Sequence, residues 1–448
     1  MNFDLLIAEI GSTTTLVNAF TDINTDTPCF IDQGLAPTSV LEGDVMIGVQ
    51  GAIDDLKDKL NTDKLKWDEF MASSSAAGGL KMTVHGLVKD MTAKAAEEAA
   101  LGAGAVIKMV TAGRLRDSQL KKIKEIGPNI ILLAGGVDYG EEDVILHNAE
   151  KLSSMDIDVP LIYAGNKVLI DEVKDMFKEK GKDILVVDNV YPEIDTLNIQ
   201  PTRKQIHEVF AKHIVRAPGM EKIKSMLSID MMPTPGAVME AAGLIKKEIG
   251  NLVCVDVGGA TTDVHSVTED SDQVHDLLIN PEPEAKRTVE GDLGVYLNAQ
   301  HVYKMMELEL DIEERKDLAP LPRNATEEEY IHLLAEKATL TAVLRHAGKY
   351  RDYFGAGGRQ TVAEGKDLSA VKYIIGTGGA LTRLARGQEI LEKVKEFNKQ
   401  SLLPNKNADV LIDNNYVMAS LGLMSKKYPE AAVKLLKESL GINNTEND

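Results

Sequence analysis

Leu5-Leu6-Ile7-Ala8-Glu9-Ile10-Gly11-Ser12-Thr13-Thr14-Thr15 and Val253-Cys254-Val255-Asp256-Val257-Gly258-Gly259-Ala260-Thr261-Thr262-Asp263 are built alike, and that likeness decides the fold. Each is an apolar strand with one carboxylate near its end, turning on glycine into a run of hydroxyls. Glycine lets backbone N–H groups come close to a phosphate, and Ser and Thr add donors at the same spot. A carboxylate repels a bare phosphate, so Glu9 and Asp256 imply a cation between them and it, with the chemistry of magnesium. Two such loops facing each other would hold a triphosphate tail from both sides. Gly11, Ser12, Thr13 and Thr14 would line one side, and Gly258, Gly259, Thr261 and Thr262 the other. Glu9 and Asp256 are the candidate metal ligands. Asp256 and Asp263 are the candidate catalytic carboxylates, placed to bind metal-held water or orient the attacking water.

A third loop follows downstream, Tyr373-Ile374-Ile375-Gly376-Thr377-Gly378-Gly379-Ala380-Leu381-Thr382. A β-rich run again ends in glycines, with a helix expected to open behind it, but no acid sits at the strand tip. Gly376, Gly378 and Gly379 would therefore let the backbone lie flat against a base or ribose. Loop, loop and glycine pair in this order resemble the phosphate-one, phosphate-two and adenosine motifs of the actin, sugar-kinase and heat-shock-chaperone ATPase superfamily. Three further stretches narrow the resemblance: Ile131-Leu132-Leu133-Ala134-Gly135-Gly136-Val137-Asp138, Arg287-Thr288-Val289-Glu290-Gly291-Asp292-Leu293-Gly294 and Gly365-Lys366-Asp367-Leu368. They are similar to segments of the MutL-like accessory proteins of glutamate (methylaspartate) mutase, which share only a name with the mismatch-repair ATPases. The similarity runs from Phe3 to about Tyr428. It departs from the wider superfamily at Glu9, where Asp is usual; Glu reaches one methylene further and can meet a metal through water.

The resemblance implies an α/β chain with a two-lobed actin-like ATPase fold, a duplication of ribonuclease H-like domains. It also implies ATP and magnesium as ligands, and a reactivating, chaperone-like role toward an adenosylcobalamin-dependent mutase or aminomutase. The first lobe is expected over 1–236, the second over 237–430, and a C-terminal helix and polar tail over 431–448. Between about 129 and 205, short apolar runs alternate with helical patterns: Asn129 to Ala134, Glu141 to Leu152, Leu161 to Ala164, Lys167 to Lys178 and Ile184 to Val187. That alternation predicts a parallel sheet covered by helices, an enlargement of the first lobe. The alanine-rich stretch from Thr92 to Met109 predicts a helix. Ala237 to Ile249 predicts another, leading into the second phosphate loop. Thr326 with Glu329 predicts a capping box for a helix to about His346. Asn415 to Lys426 reads as a further helix, and Asp311 to Arg323, with two prolines, as a linker.

Composition fits this reading. A chain of 448 residues makes two to three domains with their own cores. No stretch is apolar for long enough to span a membrane, and the first strand carries Asp4 and Glu9 where a secretory signal would be basic. Two cysteines, Cys29 and Cys254, argue against a disulfide framework and for a reducing cytoplasm. A formal charge of −20 disfavours nucleic acid and anionic membrane as partners. No P-loop, dinucleotide fingerprint, H-E-x-x-H or zinc spacing is present. No D-x-H-x-x-G stretch offers a histidine to cobalt. Two other functions remain open on the same fold. A small-molecule kinase would need a base near the γ-phosphate, for which Asp44 and Asp138 are unremarkable candidates. An ATP-driven activator of a radical dehydratase would need cluster cysteines, and Cys254 lies in an apolar strand. A filament-forming relative of actin finds no specific feature, and a homodimer stays open.

Overall fold

The apolar runs around Leu5 and Val253 become central strands because both of their faces are covered. Leu5 to Ile10 is buried throughout, as is Leu252 to Val255. The computed structural model describes residues 1–39, 44–75, 80–103, 105–214, 220–307, 318–319, 321–355, 358–396 and 400–442. In chain order the strands are β1 (Asn2–Ile10), β2 (Thr14–Thr21), β3 (Cys29–Pro37), β4 (Lys66–Ser74), β5 (Leu80–Gly86) and β6 (Ala105–Ala112). There follow β7 (Ile130–Leu133), β8 (Leu161–Tyr163), β9 (Ile184–Val186), β10 (Met232–Pro233), β11 (Leu252–Val257) and β12 (Thr262–Val267). The last are β13 (Ala285–Glu290), β14 (Lys349–Gly355), β15 (Gly358–Glu364), β16 (Tyr373–Thr377) and β17 (Asp409–Ile412). The chain divides into two compact units, Met1–Ala77 with Arg216–Asp448, and Gly78–Val215.

The first unit holds two five-stranded sheets of one design. One runs β10-β4-β1-β2-β3 and the other β17-β16-β11-β12-β13. In each, the hairpin that carries the glycine-hydroxyl loop is antiparallel, a third antiparallel strand extends it, and two parallel strands lie on the far side. This is the duplicated ribonuclease H-like arrangement of the two-lobed α/β ATPase fold. The helix Thr234–Ile249 opens on Pro235, whose missing N–H costs nothing in a first turn. With the helices Met418–Met424 and Pro429–Ser439 it forms one core that takes in Leu5 and Ile7 of β1 and Cys254 of β11. The long helix Ala325–His346 covers the opposite face of the second sheet, over Val253, Val255 and Ile374.

The second unit is a wholly parallel sheet in the order β6-β5-β7-β8-β9. Its strands β7 to β9 alternate with helices Asp143–Ser153 and Ile170–Glu179, whose Ile145, Leu152, Val173 and Phe177 pack on Ile131 and Tyr163. The sheet also takes in β5 and β6, upstream of the 129–205 stretch. The helix expected over Thr92 to Met109 is shorter: it spans Lys94–Gly102, after a π-helical turn at Lys89–Ala93, and Ala105–Ala112 is strand β6. Most of the alanines fall in the helix, whereas Val106, Ile107, Val110 and Thr111 are β-branched and favour the strand that pairs along β5. The cap of the long helix also falls earlier than expected. Asn324 accepts from Glu327 N–H at 3.0 Å, and the Glu327 carboxylate turns back to Arg323 N–H at 2.9 Å. The expected linker, Asp311 to Arg323, and the tail, Gly441 to Asp448, lie largely outside the described residues. Among the described residues no helix is long and apolar enough to cross a membrane.

Candidate nucleotide site

The glycine loops after β1 and β11 close with the same hydrogen bond. Gly11 N–H donates to Thr14 O at 2.9 Å, and Gly258 N–H donates to Thr261 O at 3.0 Å. The carbonyls of both turns are tied back into their own lobe. Thr38 donates to Gly11 O through its hydroxyl at 2.8 Å and to Thr13 O through its N–H at 3.0 Å. In the second turn, Val295 and Tyr296 N–H donate to Gly258 O and Gly259 O at 3.2 and 2.9 Å, and Asn298 Nδ2 donates to Ala260 O at 2.7 Å. A trans peptide points its N–H away from its carbonyl. The N–H groups of Gly259, Ala260 and Thr261, and those of Ser12 and Thr14, therefore point the other way, as an anion-binding nest requires.

The two turns meet. A Cβ added to Gly259 would stand 2.9 Å from Thr13 Oγ1 of the other lobe. The third loop meets them from behind. Gly378 has φ of +82°, and a Cβ there would stand 2.3 Å from Asp256 Oδ1 and 2.6 Å from Val257 N. Only glycine lets this loop lie against the acid-bearing strand tip. Gly379 opens the short helix Gly379–Thr382. Gly376 is placed differently: it lies within β16, beneath the side chains of Leu391, Ile412 and Leu381.

Three carboxyl groups gather under the turns. Glu9 is buried, and its Oε2 has no hydrogen-bond partner. Burial first, then the nearby Asp256 and Asp413 carboxylates, push Glu9 up from 4.5 to about 8, with Arg383 pulling the other way. Asp256, near the end of β11, is partly buried. Burial and Asp263 push it up to about 7 against the pull of Arg287. Asp413 closes β17 and is fully engaged. It accepts from Thr377 Oγ1 at 2.9 Å, Ser439 Oγ at 2.6 Å and Met418 N–H at 2.8 Å. A carboxyl oxygen buried without a donor, beside a second raised carboxyl, is where a cation would relieve both. Among the described residues no three His, Cys, Asp or Glu side chains form a metal cluster. Two carboxylates completed by phosphate and water oxygens are what magnesium ordinarily accepts.

The remaining sequence-predicted residues sort by what they touch. Thr261 Oγ1 donates to Asp263 Oδ2 at 3.1 Å, and Asp263 Oδ1 accepts from Arg287 Nε and Nη2 at 2.9 and 2.6 Å. Asp263 thus sits inside a buried ion pair. Thr262 is buried in β12 and donates to Leu293 O at 2.7 Å, behind the turn, while Ser12 Oγ donates to Ser75 O at 3.2 Å. Cys254 is buried and Cys29 exposed. Sequence reasoning passed over Asp413, Arg383, Tyr416 and Gln33. Arg383 donates to Gln33 of the first lobe and lies 5.8 Å from the Tyr416 ring, whose hydroxyl is raised by burial and by Glu9. The acid at the end of Val410-Leu411-Ile412-Asp413 repeats the strand-tip pattern of the first two loops, and that signal was legible.

The family model described as MutL protein matches residues 5–440. Protein MutL of Clostridium tetanomorphum is 35% identical, with 97% of this chain and 98% of the relative covered. Among solved structures, nucleotide-free acetone carboxylase is 13% identical at a TM-score of 0.41, covering 95% of this chain and 70% of that one. The nucleotide-free diol dehydratase-reactivating factor is 10% identical at a TM-score of 0.37, covering 95% and 99%.

Proposed function

The chain belongs to the MutL protein family, and from that premise we propose that it is an ATP-hydrolysing accessory protein that reactivates an adenosylcobalamin-dependent mutase. Glutamate mutase or an aminomutase is the partner in this reading. The observation that carries it is the pair of glycine turns, closed by the same hydrogen bond and meeting at Thr13 and Gly259, with the third loop seated on Asp256.

In this reading the turns at Gly11 to Thr14 and Gly258 to Thr261 hold the phosphates, and Thr262 braces the second turn from behind. Gly378 and Gly379 lie along the nucleoside, with Gly376 behind them. Glu9 and Asp256 would hold magnesium, which would neutralise charge on the terminal phosphoryl group. Asp256 orients the attacking water. Asp263, fixed by Arg287, holds the Thr261 hydroxyl in place from behind. Lobes over 1–236 and 237–430 closing on ATP and opening after hydrolysis make a hinge cycle, and the partner would use that motion to release damaged cofactor. The work would take place in the cytoplasm.

The test is phosphate release with and without glutamate mutase. Release that is slow alone and faster with the mutase supports the reading. Transfer of phosphate to a small hydroxyl compound, with little phosphate freed, would make the chain a kinase and overturn it.

A further inference from the structure

The segment Ile131–Asp138 lies in the second unit and carries β7 into its following loop. The order β6-β5-β7-β8-β9 is the doubly wound flavodoxin-like order, whose binding face lies at the carboxyl ends of the strands. Four neighbouring strands are each followed there by an exposed large apolar side chain. Val88 follows β5, Tyr139 follows β7, Val168 follows β8 and Ile194 follows β9, at 42, 75, 45 and 68% exposure. Strands lie about 4.8 Å apart, so the four span one face roughly 15–20 Å across. A single exposed apolar side chain needs no account, but four in line on one end of a sheet do.

Tyr139 is the best prepared of them. Its φ is +61°, a left-handed conformation uncommon for tyrosine. Asn166 Oδ1 accepts its N–H at 3.0 Å, and the Lys167 ammonium lies 4.7 Å from its ring centre. An aromatic side chain ordered in advance binds a partner at less entropic cost. The loops beneath it are locked together rather than open. Asn189 Nδ2 donates to Gly136 O at 3.0 Å and Asp138 Oδ1 at 2.9 Å, and Asp138 N–H donates to Pro192 O at 2.9 Å. What remains is a surface, suited to another protein.

Its border is acidic beside Tyr139 and Ile194, while beside Val88 exposed Lys89 is followed by exposed Asp90. Glu142 and Asp143 follow Tyr139, and Glu193 and Asp195 bracket Ile194, all exposed. Lys167 is drawn off by Asp138, at 3.3 Å. Such a border repels nucleic acid and anionic lipid and suits a partner edged with lysine and arginine.

We propose that this face docks the partner enzyme: an apolar socket on the mutase, rimmed by basic side chains, receives Tyr139 and its three neighbours. The inference rests on the mutase reading above and names where on this chain the mutase is held. The experiment measures binding of purified glutamate mutase, both subunits present, to the full chain and to Tyr139→Asn/Ile194→Asp. Asparagine adopts the left-handed backbone more readily than tyrosine, so the fold should survive; circular dichroism and unchanged ATP affinity check this. The expected result is affinity weakened more than tenfold in the variant, and binding by the unaltered chain that weakens as salt is raised. Equal affinity for the two chains would overturn the docking face and leave the mutase reading standing. No binding by the unaltered chain would overturn the mutase reading and this inference with it. Self-association of the unaltered chain, lost in the variant while mutase affinity is kept, would assign the face to a second copy and overturn the proposal.

Discussion

Across the first phosphate hairpin Glu9 faces Leu16; across the second, Asp256 faces Asp263. Two residues further along, Asn18 faces Gln33 in the first lobe, where His265 faces Arg287 in the second. Strand order and turn are the same, but the polar layer below the turn is amide in one lobe and ionic in the other. The amides pair with each other, Gln33 Nε2 donating to Asn18 Oδ1 at 2.7 Å, and then reach the other lobe: Gln33 Nε2 donates to Tyr416 O at 3.2 Å, and Asn18 Nδ2 donates to Ser420 Oγ at 2.8 Å. The ions bond within a lobe, in the Asp263–Arg287 pair at 2.6 Å. A glycine turn after an apolar strand is enough to build the cradle. What lies under it is free to differ, one lobe docking and the other organising charge.

The sharpest break in this comparison is Arg287→Ala. It strands a buried carboxylate, which typically costs about 3–5 kcal/mol, and should lower the denaturant midpoint accordingly. Gln33→Ala, at the matching position of the first lobe, removes two neutral amide bonds and one from Arg383 but leaves no carboxylate unpaired, a loss of about 1–3 kcal/mol. Equal losses in the two variants would mean that the ionic layer has no special structural weight.

Next in size is the pair of strand-tip acids. Asp256→Ala should fold and lose about a hundredfold in ATP hydrolysis, as when a group stabilising transition-state charge is removed. Asp263→Ala should lose less in hydrolysis, and Glu9→Gln least of all if its contact runs through water. Steady-state phosphate release ranks the three. Full activity and unchanged magnesium dependence in Asp256→Ala would place the metal elsewhere.

The smallest effect is on stability against pH. Glu9 and Asp256 bind their protons more tightly folded than unfolded, so their contribution is complete below about 4 and is lost as pH rises through 7 to 8. The buried histidines act oppositely. His85 is pushed down to about 3 by burial, and His265 and His346 well below 6.5, so each costs stability as pH falls below 6.5. Between pH 6.5 and 8.5 only the acids should matter. The melting temperature of the nucleotide-free chain should fall across that window, and less steeply in Glu9→Gln. An unchanged slope in that variant would remove Glu9 from the buried charge.

Much of this was legible in sequence because it is local. Glycine after an acid-tipped apolar run marks both turns, and apolar runs alternating with helical periods mark β7 to β9. What escaped depends on distance along the chain. Arg287 reaches Asp263 across 24 positions and Arg383 reaches Gln33 across 350, and no local pattern announces either pairing. Ala105–Ala112 escaped because the alanines before it carry a helical reading past Gly102, although Val106, Ile107, Val110 and Thr111 already favour a strand beside β5. The capping error at Thr326 has a similar cause: Asn324 caps equally well by composition, and only the path of Arg323 decides between them.

Calorimetric titration of the pure chain with ATP in the presence of magnesium tests the central claim most directly. The two meeting turns, the third loop on Asp256 and the unpaired Glu9 carboxyl predict micromolar affinity, about −8 kcal/mol, with ADP binding as well and ATP binding weakened when magnesium is chelated. No heat of binding for either nucleotide, with magnesium present and the chain folded, would contradict it.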